Sequence, residues 1–210
     1  MSTITAAAWG RPEDERPGTT LVVALHGRGA DESSMVGLAG LMPDSVTLVA
    51  PRGPVQVGDG WTWFENHGIG RPLEASIKDT AAALLDWLDE VAEEHARIVL
   101  VGFSGGTAMA GGLLFTDPDR FAGAVLLSGT LPWDAGFDTP DGLLSGMPIF
   151  WSIDPQDAII PADLAARSHA WLVEHSGAAL EEHEYPGVGH GISQAEAEDV
   201  AAFVAGLSDD

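Results

Sequence analysis

The sequence contains no cysteine and, among 210 residues, one lysine (Lys78) and one tyrosine (Tyr185). Without cysteine there is no thiolate nucleophile, no zinc–thiolate site and no disulfide framework. Cationic side chains are scarce: 9 Lys+Arg stand against 32 Asp+Glu, for a formal net charge of −23. The imbalance steepens along the chain, with 15 acids and 7 bases up to Gly105 and 17 acids and 2 bases beyond it. A field of that sign repels phosphate backbones and anionic headgroups, so the expected partners include neither nucleic acid nor a stably bound membrane. Such a surface is heavily hydrated, as in salt-adapted proteins.

Long hydrophobic runs are also missing: no apolar stretch approaches the ~18 residues of a membrane span. Met1–Gly10 has neither a basic n-region nor the roughly 7–15 apolar residues of a signal h-region. The expectation is a cytoplasmic protein. There is no internal repeat, low-complexity tract or long linker, which suits one domain over residues 1–210. A core of that size buries roughly 70% of the unfolded chain's surface without a metal or disulfide staple.

What recurs is an apolar run, a Gly/Pro/Asp turn and a helical pattern. Residues 20–25 (TLVVAL), 46–50, 98–101, 122–127, 148–153 and 180–185 read as buried strands, several as unbroken apolar runs of the kind that parallel sheets bury on both faces. Helices are expected over 34–41, 73–94, 106–115, 162–175 and 194–207, the second marked by Ile77, Ala81, Leu84, Leu88 and Val91 at helical spacing. Thr3–Ala8 is a candidate antiparallel edge strand. The alternation predicts an α/β fold, a mostly parallel central sheet with helices on both faces. Two long connections, 51–72 and 129–147, leave strands at their carboxyl ends, where such sheets place their ligand crevice.

Residues 98–101 lead into Gly102-Phe103-Ser104-Gly105-Gly106, and a helical pattern follows. This is G-x-S-x-G in its strand–turn–helix setting, a sharp turn that lifts a serine hydroxyl above the sheet edge. Ser104 is the expected nucleophile, and the Gly105 amide, at a helix N-terminus, is placed to bind a developing oxyanion. A serine needs a base. Of seven histidines, His190 lies in a glycine-rich turn (Tyr185-Pro-Gly-Val-Gly-His190) between the last strand and last helix. His95, His169 and His175 fall in or at the ends of helices, His183 in a strand and His67 in the first long loop. His26 lies in Leu25-His26-Gly27-Arg28-Gly29, where the Arg28 amide is a candidate second oxyanion donor and His26 a brace for the loop. The base in turn needs an acid to hold its tautomer. Two aspartates follow the strand 148–153, Asp154 and Asp157.

Together these motifs resemble the phospholipase/carboxylesterase family of small α/β-hydrolases, which includes acyl-protein thioesterase-like enzymes. The resemblance runs from about Thr20 to Leu207. It rests on Leu25-His-Gly-Arg-Gly29, Ala50-Pro-Arg-Gly-Pro54, Trp61-Thr-Trp-Phe64, the serine motif, Asp157-Ala-Ile-Ile-Pro161 and Gly189-His-Gly191. It implies a single-domain α/β-hydrolase fold without a large cap domain, and no cofactor or metal. It points to Asp157 as the acid of a Ser104–Asp157–His190 triad. It implies hydrolysis of carboxylic esters or thioesters through an acyl-enzyme. The chain departs from the family in carrying Gly105 where a glutamine is usual and Thr107 where a third glycine is usual, and in ending its strand Phe150-Trp151-Ser152-Ile153-Asp154 where a histidine–glycine pair commonly precedes the acid.

Seven tryptophans are present. Trp87 and Trp171 sit on helical patterns and read as core. Trp61, Trp63 and Phe64 in the first long loop, with Leu131 and Trp133 in the second, are the candidate substrate-binding residues. The acidic surface favours a small to medium, neutral ester as substrate, with the chain acting as a monomer or homodimer. Rival readings are a hydrolase-fold protein that binds a ligand without turnover, and acyl transfer or peptidase chemistry on the same scaffold.

Overall fold

The computed structural model describes residues 4–208. Seven strands form one sheet in the order β1-β3-β2-β6-β7-β8-β9. These are β1 (Ala7–Trp9), β2 (Thr20–Leu25), β3 (Val46–Pro51), β6 (Arg97–Phe103), β7 (Gly123–Leu127), β8 (Pro148–Ile153) and β9 (Ala179–Glu184). β1 runs antiparallel to β3, and every other neighbouring pair is parallel. The edge strand expected over Thr3–Ala8 is thus antiparallel but displaced toward Trp9, and Thr3 lies outside the described residues.

Side chains on the strands alternate between two cores. Leu21, Val23, Leu25, Leu100, Leu126 and Trp151 face one cluster, which also takes in α2 (Glu74–Val91), α3 (Gly105–Thr116) and α4 (Ala162–Glu174). Val22, Ala24, Val99, Val101, Leu127 and Phe150 face the other, closed by α1 (Ser33–Val36) and α5 (Gln194–Ser208). Both faces being covered explains the unbroken apolar runs of β2, β3, β6 and β7. α3 is buried all round, from Gly106 to Phe115, as expected of a helix directly behind a central strand.

Three expectations need correction. The helix expected over 34–41 is one α-turn, α1, continued as a 3₁₀ turn over Gly37–Leu41, because Gly37 and Gly40 weaken an α-helix that has only Met35 to bury. The strand read as buried over 180–185 is the sheet's exposed edge, and its Glu181, Glu182 and Glu184 blunt that edge against pairing with other chains. The long connection 51–72 contains a hairpin of β4 (Val55–Val57) and β5 (Gly60–Thr62), whereas 129–147 has no strand or helix. No helix among the described residues is long and apolar enough to cross a membrane.

Candidate active site

β6 and β7 end side by side, with Phe103 in register with Leu127, and the chain reverses at once into α3. Ser104 occupies the turn at φ 55°, ψ −113°, a region that a non-glycine residue enters only when its surroundings force it. What forces it is close backbone approach. A Cβ on Gly106 would lie 2.0 Å from the Leu25 carbonyl oxygen, and one on Gly102 2.5 Å from that of Gly106. The Ser104 amide donates to the Leu127 carbonyl (3.0 Å), and the buried Thr107 hydroxyl lies 2.8 Å from the carbonyls of both Gly102 and Leu127. Thr107 therefore ties the turn to both strands.

The Ser104 Oγ lies 2.9 Å from His190 Nε2, and His190 Nδ1 lies 2.8 Å from Asp157 Oδ2. The three residues come from the ends of β6, β8 and β9. Asp157 is largely enclosed, its side chain 7% exposed, and its other oxygen accepts the amides of Ile159 (2.7 Å) and Ile160 (3.2 Å). Burial pushes its pKa up, but the His190 hydrogen bond and those two amides outweigh burial and hold it below the usual aspartate value. The imidazole rests against the Phe103 ring, centroids 5.1 Å apart.

Asp154, the other candidate acid, does different work. One carboxylate oxygen accepts the Gln156 amide (2.7 Å) and the other the Gly189 amide (2.5 Å). It joins the loop carrying Asp157 to the loop carrying His190, and these amides, Gln156 first, hold its pKa low. The far end of the His190 loop is fixed by a capping box, in which Ser193 and Glu196 exchange side-chain-to-amide hydrogen bonds. Glu196 is buried, which raises its pKa, and accepts the Ser152 hydroxyl at 2.5 Å. The Ser-x-x-Glu spacing is legible in the sequence; the links from Asp154 to Gly189 and from Glu196 to Ser152 are not.

The loop after β2 faces the serine turn. A Cβ on Gly105 would lie 3.4 Å from the Arg28 amide nitrogen. That amide donates to no acceptor among the described residues, and Gly105, as the first residue of α3, has no intrahelical acceptor. His26 is fully buried under this loop, its Nε2 accepting the Gly53 amide (3.0 Å) while Nδ1 donates to the Gly27 carbonyl (2.8 Å). Burial lowers its pKa, consistent with a neutral ring. The hairpin braces the loop from outside: the Gly29 amide donates to the Trp61 carbonyl (2.7 Å), and the Trp61 amide donates to the Ala30 carbonyl (2.8 Å). Gly60 crosses so close that a Cβ would lie 1.9 Å from the Gly29 oxygen.

The aromatic residues divide. Trp63 and Leu131 have no solvent-accessible surface and cannot line a substrate pocket. The Trp63 indole N–H donates to the His26 carbonyl (2.8 Å), so Trp63 supports the loop from within, while Leu131 fills the core beneath the second long loop. Phe64 and Trp133 are nearly enclosed, and the Trp133 N–H donates to Ser168 Oγ (3.0 Å). Trp61 is half-buried, with the Arg52 guanidinium 5.1 Å from its ring. The exposed large apolar side chains are others. Ile159 and Val188 stand two residues from Asp157 and His190, and Ile69 lies on the loop that meets α4 where Gly70 approaches Leu164.

The sequence matches the phospholipase/carboxylesterase family over residues 12–208. It is 29% identical over 182 residues to the putative hydrolase MhqD of Bacillus subtilis, covering 85% of this chain and 88% of that one. It is 26% identical over 218 residues to acyl-protein thioesterase 1 of Cryptococcus neoformans, covering 89% and 91%. The fold superimposes on the carboxylesterase of Bacillus cereus with a TM-score of 0.80, at 23% identity over 96% of this chain and 93% of the other. With an α/β sheet, a serine on a strained strand–helix turn and a match that spans nearly the whole sequence, the chain belongs to the phospholipase/carboxylesterase family and is a carboxylesterase-type hydrolase.

Proposed function

We propose that the protein hydrolyses neutral carboxylic esters or thioesters of small to medium acyl groups through a Ser104 acyl-enzyme. The observation that carries this reading is the continuous hydrogen-bonded series from Ser104 Oγ to His190 to Asp157, at 2.9 and 2.8 Å. Ser104 Oγ bonds to the substrate carbonyl carbon as its proton passes to His190 Nε2, and Asp157 holds the imidazole and stabilises its charge. The carbonyl oxygen, now an oxyanion, receives the amides of Gly105 and Arg28. His190 returns the proton to the departing alcohol or thiol as the carbon–heteroatom bond breaks. Water then attacks the acyl-enzyme, its proton taken by His190, and Ser104 is released with the carboxylic acid.

The preference for neutral substrates rests on the net charge of −23, which repels an approaching anion. An acyl group is matched by the exposed Ile159 and Val188 beside the acid and the base. The intact series favours turnover over ligand binding alone, since a module that only binds has no need of a base aligned on the serine.

Stopped-flow hydrolysis of para-nitrophenyl acetate, butyrate and octanoate, beside butyryl thioester, tests the proposal. The expected result is turnover that falls on the order of 10⁶-fold in Ser104→Ala, with the chain-length profile measuring the acyl site. Turnover that survives in Ser104→Ala, or no release above background with any substrate, refutes it.

A further inference from the structure

The loop that carries the base has no backbone framework of its own. Over residues 186–192 no amide or carbonyl takes part in a backbone–backbone hydrogen bond. A segment without ladder or turn bonds depends on side chains for its position. Two carboxylates supply that hold. Asp154 accepts the Gly189 amide, one residue before the base. Beyond the base, Glu196 accepts the Ser193 amide at 3.4 Å, and the Ser193 hydroxyl oxygen accepts the Glu196 amide at 3.1 Å.

Glu196 does more than close this cap. It is 2% exposed, and no ion pair among the described residues includes it. Carboxylates are almost never so buried without a cation, and the glutamate of a capping box works as well in water. The cap alone therefore explains neither the burial nor the shortest contact, 2.5 Å from Oε1 to the Ser152 hydroxyl. Ser152 is fully buried, and its hydroxyl has no other partner among the described residues.

Ser152 ties Glu196 to the framework that holds the other two members of the series. It lies in β8, the strand that leads to Asp157. Its carbonyl accepts the Ser128 amide (3.0 Å), and the adjacent Leu127 carbonyl accepts the Ser104 amide (3.0 Å). The strand ends that place the nucleophile and the acid are thus the ones that Glu196 grips from the far side of the base loop.

We infer that Glu196 is a positioning residue for the esterase reaction: by joining Ser193 and the start of α5 to Ser152, it holds the His190 imidazole within reach of Ser104 and Asp157. The inference rests on the hydrolytic reading above, so one arm of its test reads turnover and the other does not. A residue that aligns the base without touching substrate lowers kcat and spares KM.

The first arm measures kcat and KM on para-nitrophenyl butyrate, with thermal melts alongside. Glu196→Leu fills the space but accepts neither hydrogen bond, and lowers kcat about 10–100-fold with KM within about twofold. Ser152→Ala removes only the link to β8 and lowers kcat about 3–10-fold; it carries the test should Glu196→Leu fail to fold. Glu196→Gln recovers most of the activity, its oxygen accepting the Ser193 amide and its NH₂ donating to the Ser152 hydroxyl. Val204→Ala hollows the buried side of the same helix and controls for lost stability. It keeps kcat within about twofold even where its Tm falls as far as that of Glu196→Leu.

The second arm follows the proton between His190 Nδ1 and Asp157 as a far-downfield ¹H resonance of the intact protein, assigned by its loss in Asp157→Ala. It broadens or vanishes in Glu196→Leu, as the loosened imidazole exchanges that proton with water, and persists in Val204→Ala. Should wild type hydrolyse no ester, the hydrolytic reading fails and this resonance decides alone. The inference is overturned by Glu196→Leu and Ser152→Ala both staying within threefold of wild-type kcat, by a loss confined to KM, or by an equal loss in Val204→Ala. A resonance as sharp in Glu196→Leu as in wild type, or missing already from wild type, overturns it as well.

Discussion

Replacing Asp157 by asparagine isolates the role of the acid from its bulk. The carboxylate has two differently employed oxygens: Oδ1 accepts the amides of Ile159 and Ile160, and Oδ2 faces His190 Nδ1 at 2.8 Å. An asparagine has one oxygen and one NH₂ to place. Turning the NH₂ toward Ile159 and Ile160 sets donors against two amide donors, so the side-chain oxygen takes the Oδ1 position. The NH₂ then points at Nδ1, which becomes an acceptor, and the proton moves to Nε2, facing Ser104. His190 is left without the lone pair that would accept the serine proton. Loss of a base by tautomer reversal lowers kcat on the order of 10⁴-fold, about 5 kcal/mol of transition-state stabilisation. Asp157→Ala imposes no tautomer, so its loss is smaller than that of the near-isosteric asparagine. Because the two amides stay satisfied, Asp157→Asn folds normally. The assay is kcat and KM on para-nitrophenyl butyrate for wild type and both variants, with thermal melts alongside. Asp157→Asn retaining activity within tenfold of wild type, or Asp157→Ala proving the worse variant, refutes the argument.

Other perturbations separate the supports of the site. Gly105→Gln adds a Cβ at ordinary contact distance from the Arg28 amide nitrogen, 3.4 Å, and changes stability by no more than about 1 kcal/mol. Gly106→Ala drives a Cβ to 2.0 Å from a backbone carbonyl and abolishes both cooperative melting and esterase activity, as calorimetry and an ester assay would show. Asp154→Ala frees the Gly189 end of the base loop and lowers kcat roughly 10–100-fold with KM little changed. Since the folded-state pKa of Asp154 is depressed, its contribution to stability is present above the ordinary aspartate pKa and lost as pH falls through the depressed value. The difference in Tm between wild type and Asp154→Ala therefore narrows from pH 7 toward pH 3. His26→Ala strands the Gly53 amide and the Gly27 carbonyl and costs about 2–4 kcal/mol in denaturant unfolding. The Trp63 hydrogen bond survives there, because it uses the His26 backbone.

How much of this was legible in the sequence follows from how far each feature reaches along the chain. The serine turn is legible because its demands are local: a buried strand, a strained residue and glycines at contacts that admit no Cβ all fall within Gly102–Gly106. Asp154 and Asp157 are not separable by local pattern. They are three residues apart after the same strand, and what divides them is a partner 35 residues away for one and 33 for the other. Loop aromatics pose the same difficulty. Trp61 and Trp63 read alike as tryptophans of a long loop, and strand alternation would put both on one face, yet β5 ends at Thr62, and beyond it Trp63 is wholly buried against His26 while Trp61 stays half-open.

The missed features share a cause. Asp154 and Ser152 stand two residues apart at the end of β8, and each has its decisive relation elsewhere: with the base loop and with α5. A side chain without a carboxylate at position 154 has nothing to grip the Gly189 amide, so the anchoring of that end of the His190 loop rests on Asp154. The resemblance pointed to Ser104, Asp157 and His190, and hydrogen bonds join these three side chains in series. It carried nothing about the Asp154–Gly189 link, and substitutions at Asp154 test the anchoring of the His190 loop apart from those three side chains.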